Sequence, residues 1–180
     1  MNLVILVTSF IAMLFRFVFF LVLAAGLTAA APVDQKGWFE KTKAAILRQS
    51  KMNADSVGQQ TSSDLVRRTE LSYREGHLFL RRVFRQNILV QVAFFNQSGE
   101  FELRRELCSN GKSRFEGIYV KGEAYGICTW YYCSGKIEKQ GVRFRDKDVG
   151  IWKFYDEGGR LTEEVDFENA KLADVMPDVK

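Results

Sequence analysis

The chain has 180 residues, of which 47% are hydrophobic and 27% charged, and its formal net charge is +4. That is enough for one domain with an appendage and short for a multi-domain enzyme. Its 15 Phe, 6 Tyr and 3 Trp against only 2 Pro exclude wholesale disorder, and its 14 Gly follow no three-residue period, which excludes collagen.

Residues 1–31 hold no acidic side chain and one basic side chain, Arg16. The apolar run 17–31 has the length of a signal-peptide core and is short for a membrane span. It ends in Thr28, Ala29, Ala30 and Ala31 before Pro32, which points to cleavage after Ala30. A charge inside such a run costs about 2.5–3.5 kcal/mol. Translation is therefore expected to start at Met13, so that Arg16 becomes the positive lead-in to a clean apolar stretch over 17–27. The expected location is periplasmic or secreted. Lys36, Lys41, Lys43 and Arg48 argue for retention on the inner side, so anchoring to the inner membrane by residues 1–31 stays as the alternative.

Residues 32–64 read as a helix and a linker. The stretch 38–52 carries Ala44, Ala45, Ile46 and Leu47, with Trp38 and Ala45, and Phe39 and Ile46, at helical spacing. Its other side is basic, which leaves peripheral membrane contact open beside docking on the sheet. The polar stretch 53–64 reads as linker. From residue 65 to 172 the pattern becomes that of strands, notably 79–85, 88–95 and 101–107, rich in β-branched and aromatic residues. Turn signals fall between them at Glu75 and Gly76, Gln86 and Asn87, Ser98 and Gly99, Asn110 and Gly111, Lys121 and Gly122, Ser134 and Gly135, and Gly158 and Gly159. That spacing predicts an all-β antiparallel meander, with residues 173–180 as a tail.

A 24-residue register runs through the C-terminal half. Gly111, Gly135 and Gly159 are each followed by a basic residue (Lys112, Lys136, Arg160) and preceded four positions earlier by Leu107, Tyr131 or Tyr155. Gly126, Ile127, Trp130 and Tyr131 align with Gly150, Ile151, Phe154 and Tyr155. A closing element, Tyr119 to Gly122, recurs at Phe144 to Lys147 and at Phe167 to Ala170 with a shift of one residue, so loop length is expected to vary there. Gly126 and Gly150, at strand entries, are expected to leave room for an aromatic ring from a neighbouring hairpin. A single hairpin cannot bury its own face, so about three or more must stack.

With Tyr119, Gly122 and Gly126, then Gly150, Trp152, Tyr155 and Gly159, the sequence resembles the MORN-repeat family in its bacterial variant. The likeness covers 108–172, with a degenerate extension over 71–107. Cys128 stands where the pattern has Trp, and Lys147 and Ala170 where it has Gly. The resemblance implies a single-layer sheet of successive hairpins used for protein–protein contacts or membrane-associated scaffolding, and it brings no catalytic residue. Some bacterial relatives carry an antitoxin label. On this basis Tyr119, Trp130, Tyr131, Trp152 and Tyr155 are candidate binding residues, and Gly111, Gly122, Gly126, Gly135, Gly150 and Gly159 are structural turn residues.

Chemistry-bearing residues are sparse. His77, the single His, sits beside Gly76 and reads as a surface turn residue. Cys128 and Cys133 would lie about 16 Å apart in an extended strand, too far to bridge. Cys108 and Cys133, at turns one hairpin apart, are the one plausible disulfide, and Cys128 reads as a small buried apolar residue. Neither a phosphate loop nor a nucleophile motif is visible, so no catalytic residue, cofactor or metal is expected. Residues 32–115 carry 15 basic and 9 acidic side chains, whereas 116–180 carry 10 and 13. The basic part fits an acidic partner or, equally, solvated strand faces. The expected function is an exported, non-enzymatic scaffold that binds an unknown protein or envelope component. The alternatives are a lipid- or apolar-ligand-binding protein and a cytoplasmic antitoxin-like component; nucleic acid is disfavoured for an exported chain.

Overall fold

A computed structural model describes residues 34–50, 54–61, 66–168 and 176–178. The segment 1–31 read as an export signal, part of the 53–64 stretch and most of the C-terminal tail lie outside the described residues. One helix, α1 (Gln35–Ser50), precedes ten strands: β1 (Ser56–Thr61), β2 (Arg67–Arg74), β3 (His77–Arg85), β4 (Ile88–Phe95), β5 (Phe101–Leu107), β6 (Ser113–Val120), β7 (Glu123–Tyr131), β8 (Ile137–Phe144), β9 (Lys147–Tyr155) and β10 (Leu161–Asp166). They form one sheet in sequential order, each antiparallel to the next. The meander expected from turn spacing is the observed fold.

The turns explain the order. At one end of the sheet, Glu75 and Gly76, Lys121 and Gly122, and Arg145 and Asp146 take left-handed φ at both positions, as do Gln86 and Asn87 at the other. Paired left-handed residues give the hairpin turn whose twist matches its flanking strands. Arg145 and Asp146 stand 24 residues after Lys121 and Gly122, so the register is strict and the expected one-residue shift is corrected. Asp146, not Lys147, takes the glycine's place at φ 63°, and its carboxylate accepts the Ala124 N–H at 2.9 Å. An Asp side chain tolerates that conformation better than most.

The wider turns that follow β5, β7 and β9 repeat one another. Gly111, Gly135 and Gly159 lie at φ 80°, 98° and 88°, and each N–H donates to the carbonyl three residues back, on Cys108, Tyr132 and Asp156. The basic residue after each glycine then has a use. Lys112 Nζ donates to the Ser134 carbonyl of the next turn at 2.8 Å, and Lys136 Nζ to that of Gly158 at 3.0 Å. Arg160 follows the last of these turns and bonds back to its own Asp156 at 3.0 Å. A disulfide between Cys108 and Cys133, with Cα atoms 5.8 Å apart, fastens the first two turns together.

Two further expectations need correction. The polar stretch read as linker contains β1, paired with β2 from Ser56 opposite Tyr73 to Thr61 opposite Arg68. The helix begins three residues earlier than expected, with Asp34 at its N-cap position and the Asp34 carbonyl accepting the Trp38 N–H at 2.8 Å. Helix α1 crosses β7, β5, β4 and β3. Its buried stripe of Phe39, Thr42 and Ile46 packs on Phe101, Leu103, Ile118, Val120 and Tyr125. Gly126 lies beneath it at φ 73°, and a Cβ there would stand 2.5 Å from the Trp38 ring. The ring it admits therefore comes from the helix and not from a neighbouring hairpin. Trp38 Nε1 donates to the Pro177 carbonyl at 2.9 Å, and Met176 joins the same cluster, so the end of the chain closes over this face.

Candidate binding face

Strand alternation sends every second side chain to the face that α1 leaves open. The organising feature there is a row of small residues, Ala93, Gly117 and Gly141, spaced by 24 and all buried. Gly117 stands opposite residues 126–128, and Gly141 opposite 150–152, so each glycine faces a three-residue bulge on the following strand. The last bulge residue leans over the glycine. The Trp152 ring lies where a Gly141 Cβ would be, while Cys128 Sγ stands 3.1 Å from the Cβ position of Gly117. Cys128 replaces Trp because the Phe115 ring already fills that space, 2.7 Å from the same position. Phe115 stands 24 residues before Lys139, so the two units exchange a ring plus a thiol for an ammonium plus an indole.

From these anchors an aromatic chain runs across the strands. Tyr119 meets Phe115 edge-on at 6.3 Å between centroids, Phe115 meets Trp130 at 4.6 Å, Trp130 meets Trp152 at 5.6 Å, and Trp152 meets Phe167 at 6.1 Å. Cations roof it and its continuation into the N-terminal strands. Arg74 lies 4.8 Å from the Phe79 ring centre, Arg81 5.3 Å from Phe95, and Arg104 3.6 Å from Tyr119. Lys139 and Arg143 both lie over the Trp130 and Trp152 pair, at 4.6 and 5.0 Å from Trp130. Such contacts contribute about 0.5–2 kcal/mol each, and they shield rings that a single-layer sheet would otherwise leave to water.

The carboxylates on this face are fewer than the cations. Glu102 accepts from Arg81 at 2.8 Å and from Arg104 at 2.7 Å, and Asp148 accepts from Arg143 at 2.8 Å. Among the described residues no carboxylate pairs with Lys139. Burial pulls the Arg104 guanidinium pKa down, but the hydrogen bond and charge of Glu102 outweigh it and raise the value; Asp148 does the same for Arg143. Burial pushes the Cys128 thiol up to about 12, which leaves it protonated and unreactive at neutral pH. The covered face has its own charged cluster. Burial pushes the Glu116 carboxyl up, yet the hydrogen bonds from Lys43 of α1 and Arg105 hold it below the usual range.

The five aromatic residues singled out in the sequence do not share a surface. Tyr119, Trp130 and Trp152 belong to the open face, but Trp152 is only 1% exposed and serves as its core. Tyr131 lies beside Glu116 and Arg105 on the covered face, and alternation puts Tyr155 on that face too. The turn glycines Gly111, Gly122, Gly135 and Gly159 stand at left-handed turn positions, and Gly126 and Gly150 at left-handed positions inside the bulges. Sequence reasoning missed Arg81, Arg104, Lys139 and Arg143 as one roof. The available signal was the 24-residue spacing of Ala93, Gly117 and Gly141. His77 lies exposed at the start of β3, and among the described residues no group of His, Cys, Asp and Glu side chains could hold a metal ion. No protein-family model matches the chain, and no curated protein matches it significantly.

Proposed function

We propose that the chain is an exported, non-catalytic binding module of MORN-like repeats that recruits a protein partner through the open face of its sheet. The observation that carries this reading is the asymmetry of the sheet: one face is covered by α1 from β3 to β7, while the other ends in rings capped by cations. The strict 24-residue recurrence of turns and bulges supports the repeat assignment. The disulfide between Cys108 and Cys133 suits an oxidising compartment, in line with the apolar segment ending at Ala31. No helix of the described residues is long and apolar enough to cross a membrane.

The lipid-binding alternative placed an apolar ligand beneath the helix. Trp38, Phe39 and Ile46 pack directly on the sheet there, which weighs against it. The antitoxin alternative requires a cytoplasmic protein. One experiment separates these readings: fractionation of cells expressing the full chain, mass spectrometry of the mature N-terminus, and affinity capture with wild type and a Trp130→Ser variant. The expected result is an envelope or extracellular protein beginning at Ala31 whose partner is lost on Trp130→Ser. A cytoplasmic, unprocessed protein, or capture indifferent to Trp130, would overturn the proposal.

A further inference from the structure

The open face bears a pattern of charge that names a class of partner. Arg81 on β3, Arg104 on β5, and Lys139 and Arg143 on β8 follow one another across the strands and are matched by only two carboxylates, Glu102 and Asp148. With neighbouring strands about 4.8 Å apart, β3 to β8 spans about 24 Å, the length of about seven residues of extended chain. The basic character continues in a groove of about 400 Å3 along β2 to β6, lined by Arg67, Arg85, Glu106 and Arg114, the last of which pairs with Glu138. A linear array of cations suits a linear anion.

The state of the rings selects which anion. Phe79, Phe95 and Trp152 are each 7% exposed or less, and their neighbours Tyr119 and Trp130 lie under guanidinium or ammonium groups. A sugar or a nucleobase needs a free ring face on which to stack, and a bilayer needs apolar side chains that project from the surface. Between Arg81 and Lys139 the face offers neither; the exposed ring of Phe167, at 40%, lies beyond that span, against Trp152. The face offers N–H donors held flat on rings, which fits carboxylates on a peptide.

We infer that the open face docks an extended, Asp- and Glu-rich segment of a partner protein, laid across the strands from Arg81 to Lys139. This rests on the binding-module reading above and gives its partner a chemistry. Charge complementarity of this kind speeds encounter and fixes orientation, and salt weakens it.

Fluorescently labelled poly-L-glutamate, titrated into the mature chain, serves as the probe. The double variant Arg81→Gln/Lys139→Gln is compared with Arg68→Gln/Arg82→Gln, which removes the same charge from the covered face, where both arginines flank Glu70. The expected result is affinity lowered about tenfold or more by the first pair, changed less than about twofold by the second, and falling with added salt. Lys139→Gln alone, which removes no ion pair among the described residues, should give part of the same loss if the double variant melts early. Equal losses from the two pairs, no binding at low salt, or tighter binding of dextran sulfate or phosphatidylglycerol vesicles would each overturn the inference. If the probe fails while capture of the cellular partner still depends on Trp130, the module stands and only the acidic chemistry falls.

Discussion

On its covered face the sheet meets α1 with aliphatic and Phe side chains, Leu103 and Ile118 among them with no exposed surface at all. On its open face the same strands carry Tyr119, Phe115, Trp130 and Trp152, laid over small residues and roofed by Arg and Lys. A helix excludes water from a broad aliphatic patch, so nothing larger is needed there. Without a second layer, burial has to come from side chains long enough to lie down on the sheet. Flat rings over glycine, and extended guanidinium stems over rings, do this. The open face is therefore stable in water and still rich in donors, which is the combination a docking surface needs.

The contrast can be broken most severely at Trp152. Trp152→Ala should cost about 3–5 kcal/mol in denaturant unfolding, because the indole occupies the space over Gly141. Near-wild-type stability would mean that the open face has no core of its own. On the covered face, Glu116→Gln should cost about 1.5–3 kcal/mol by leaving Lys43 and Arg105 without their shared carboxylate. The pH dependence follows in sign. The folded pKa of Glu116 lies below the ordinary 4.5, so its contribution is complete above that pH and disappears as pH falls through the lower folded value. Thermal melts taken downward from about pH 5 should show a decline that is shallower in Glu116→Gln.

Gly126→Ala should cost about 1–3 kcal/mol, since it forces a side chain into left-handed φ under the Trp38 ring. Red-shifted Trp38 fluorescence with unchanged sheet signal would show that α1 alone has lifted. The smallest effect belongs to the turn ladder. Lys136→Ala should cost at most about 1 kcal/mol, seen as faster amide exchange at residues 156–160 and nowhere else.

Much of this architecture was legible in the sequence. Gly76, Gly99, Gly111, Gly122, Gly135 and Gly159 marked their turns because left-handed backbone is costly for other residues. The turn at Arg145 and Asp146 was obscured because Asp can adopt the same conformation, which displaced the apparent register by one. Strand β1 was hidden by its composition: Ser56, Val57, Gly58, Gln59, Gln60 and Thr61 carry no apolar alternation, and the strand exists by pairing with β2 at the sheet edge. Face assignment failed for Tyr131 and Tyr155 because alternation places consecutive aromatics such as Trp130 and Tyr131 on opposite sides, while the repeat treats them as a unit. The cation roof was legible only as charge, since its meaning depends on which rings lie across neighbouring strands.

The central claim, that the open face is the one a partner meets, is tested most directly by site-specific photo-crosslinking in cells that express the full chain. A benzophenone amino acid would replace Gln91, which shares the open face with Ala93 and holds none of the roofing cations, or Tyr131 on the covered face. The account predicts one discrete covalent adduct from position 91 and none from position 131. An adduct from position 131, or none from either position, would contradict it.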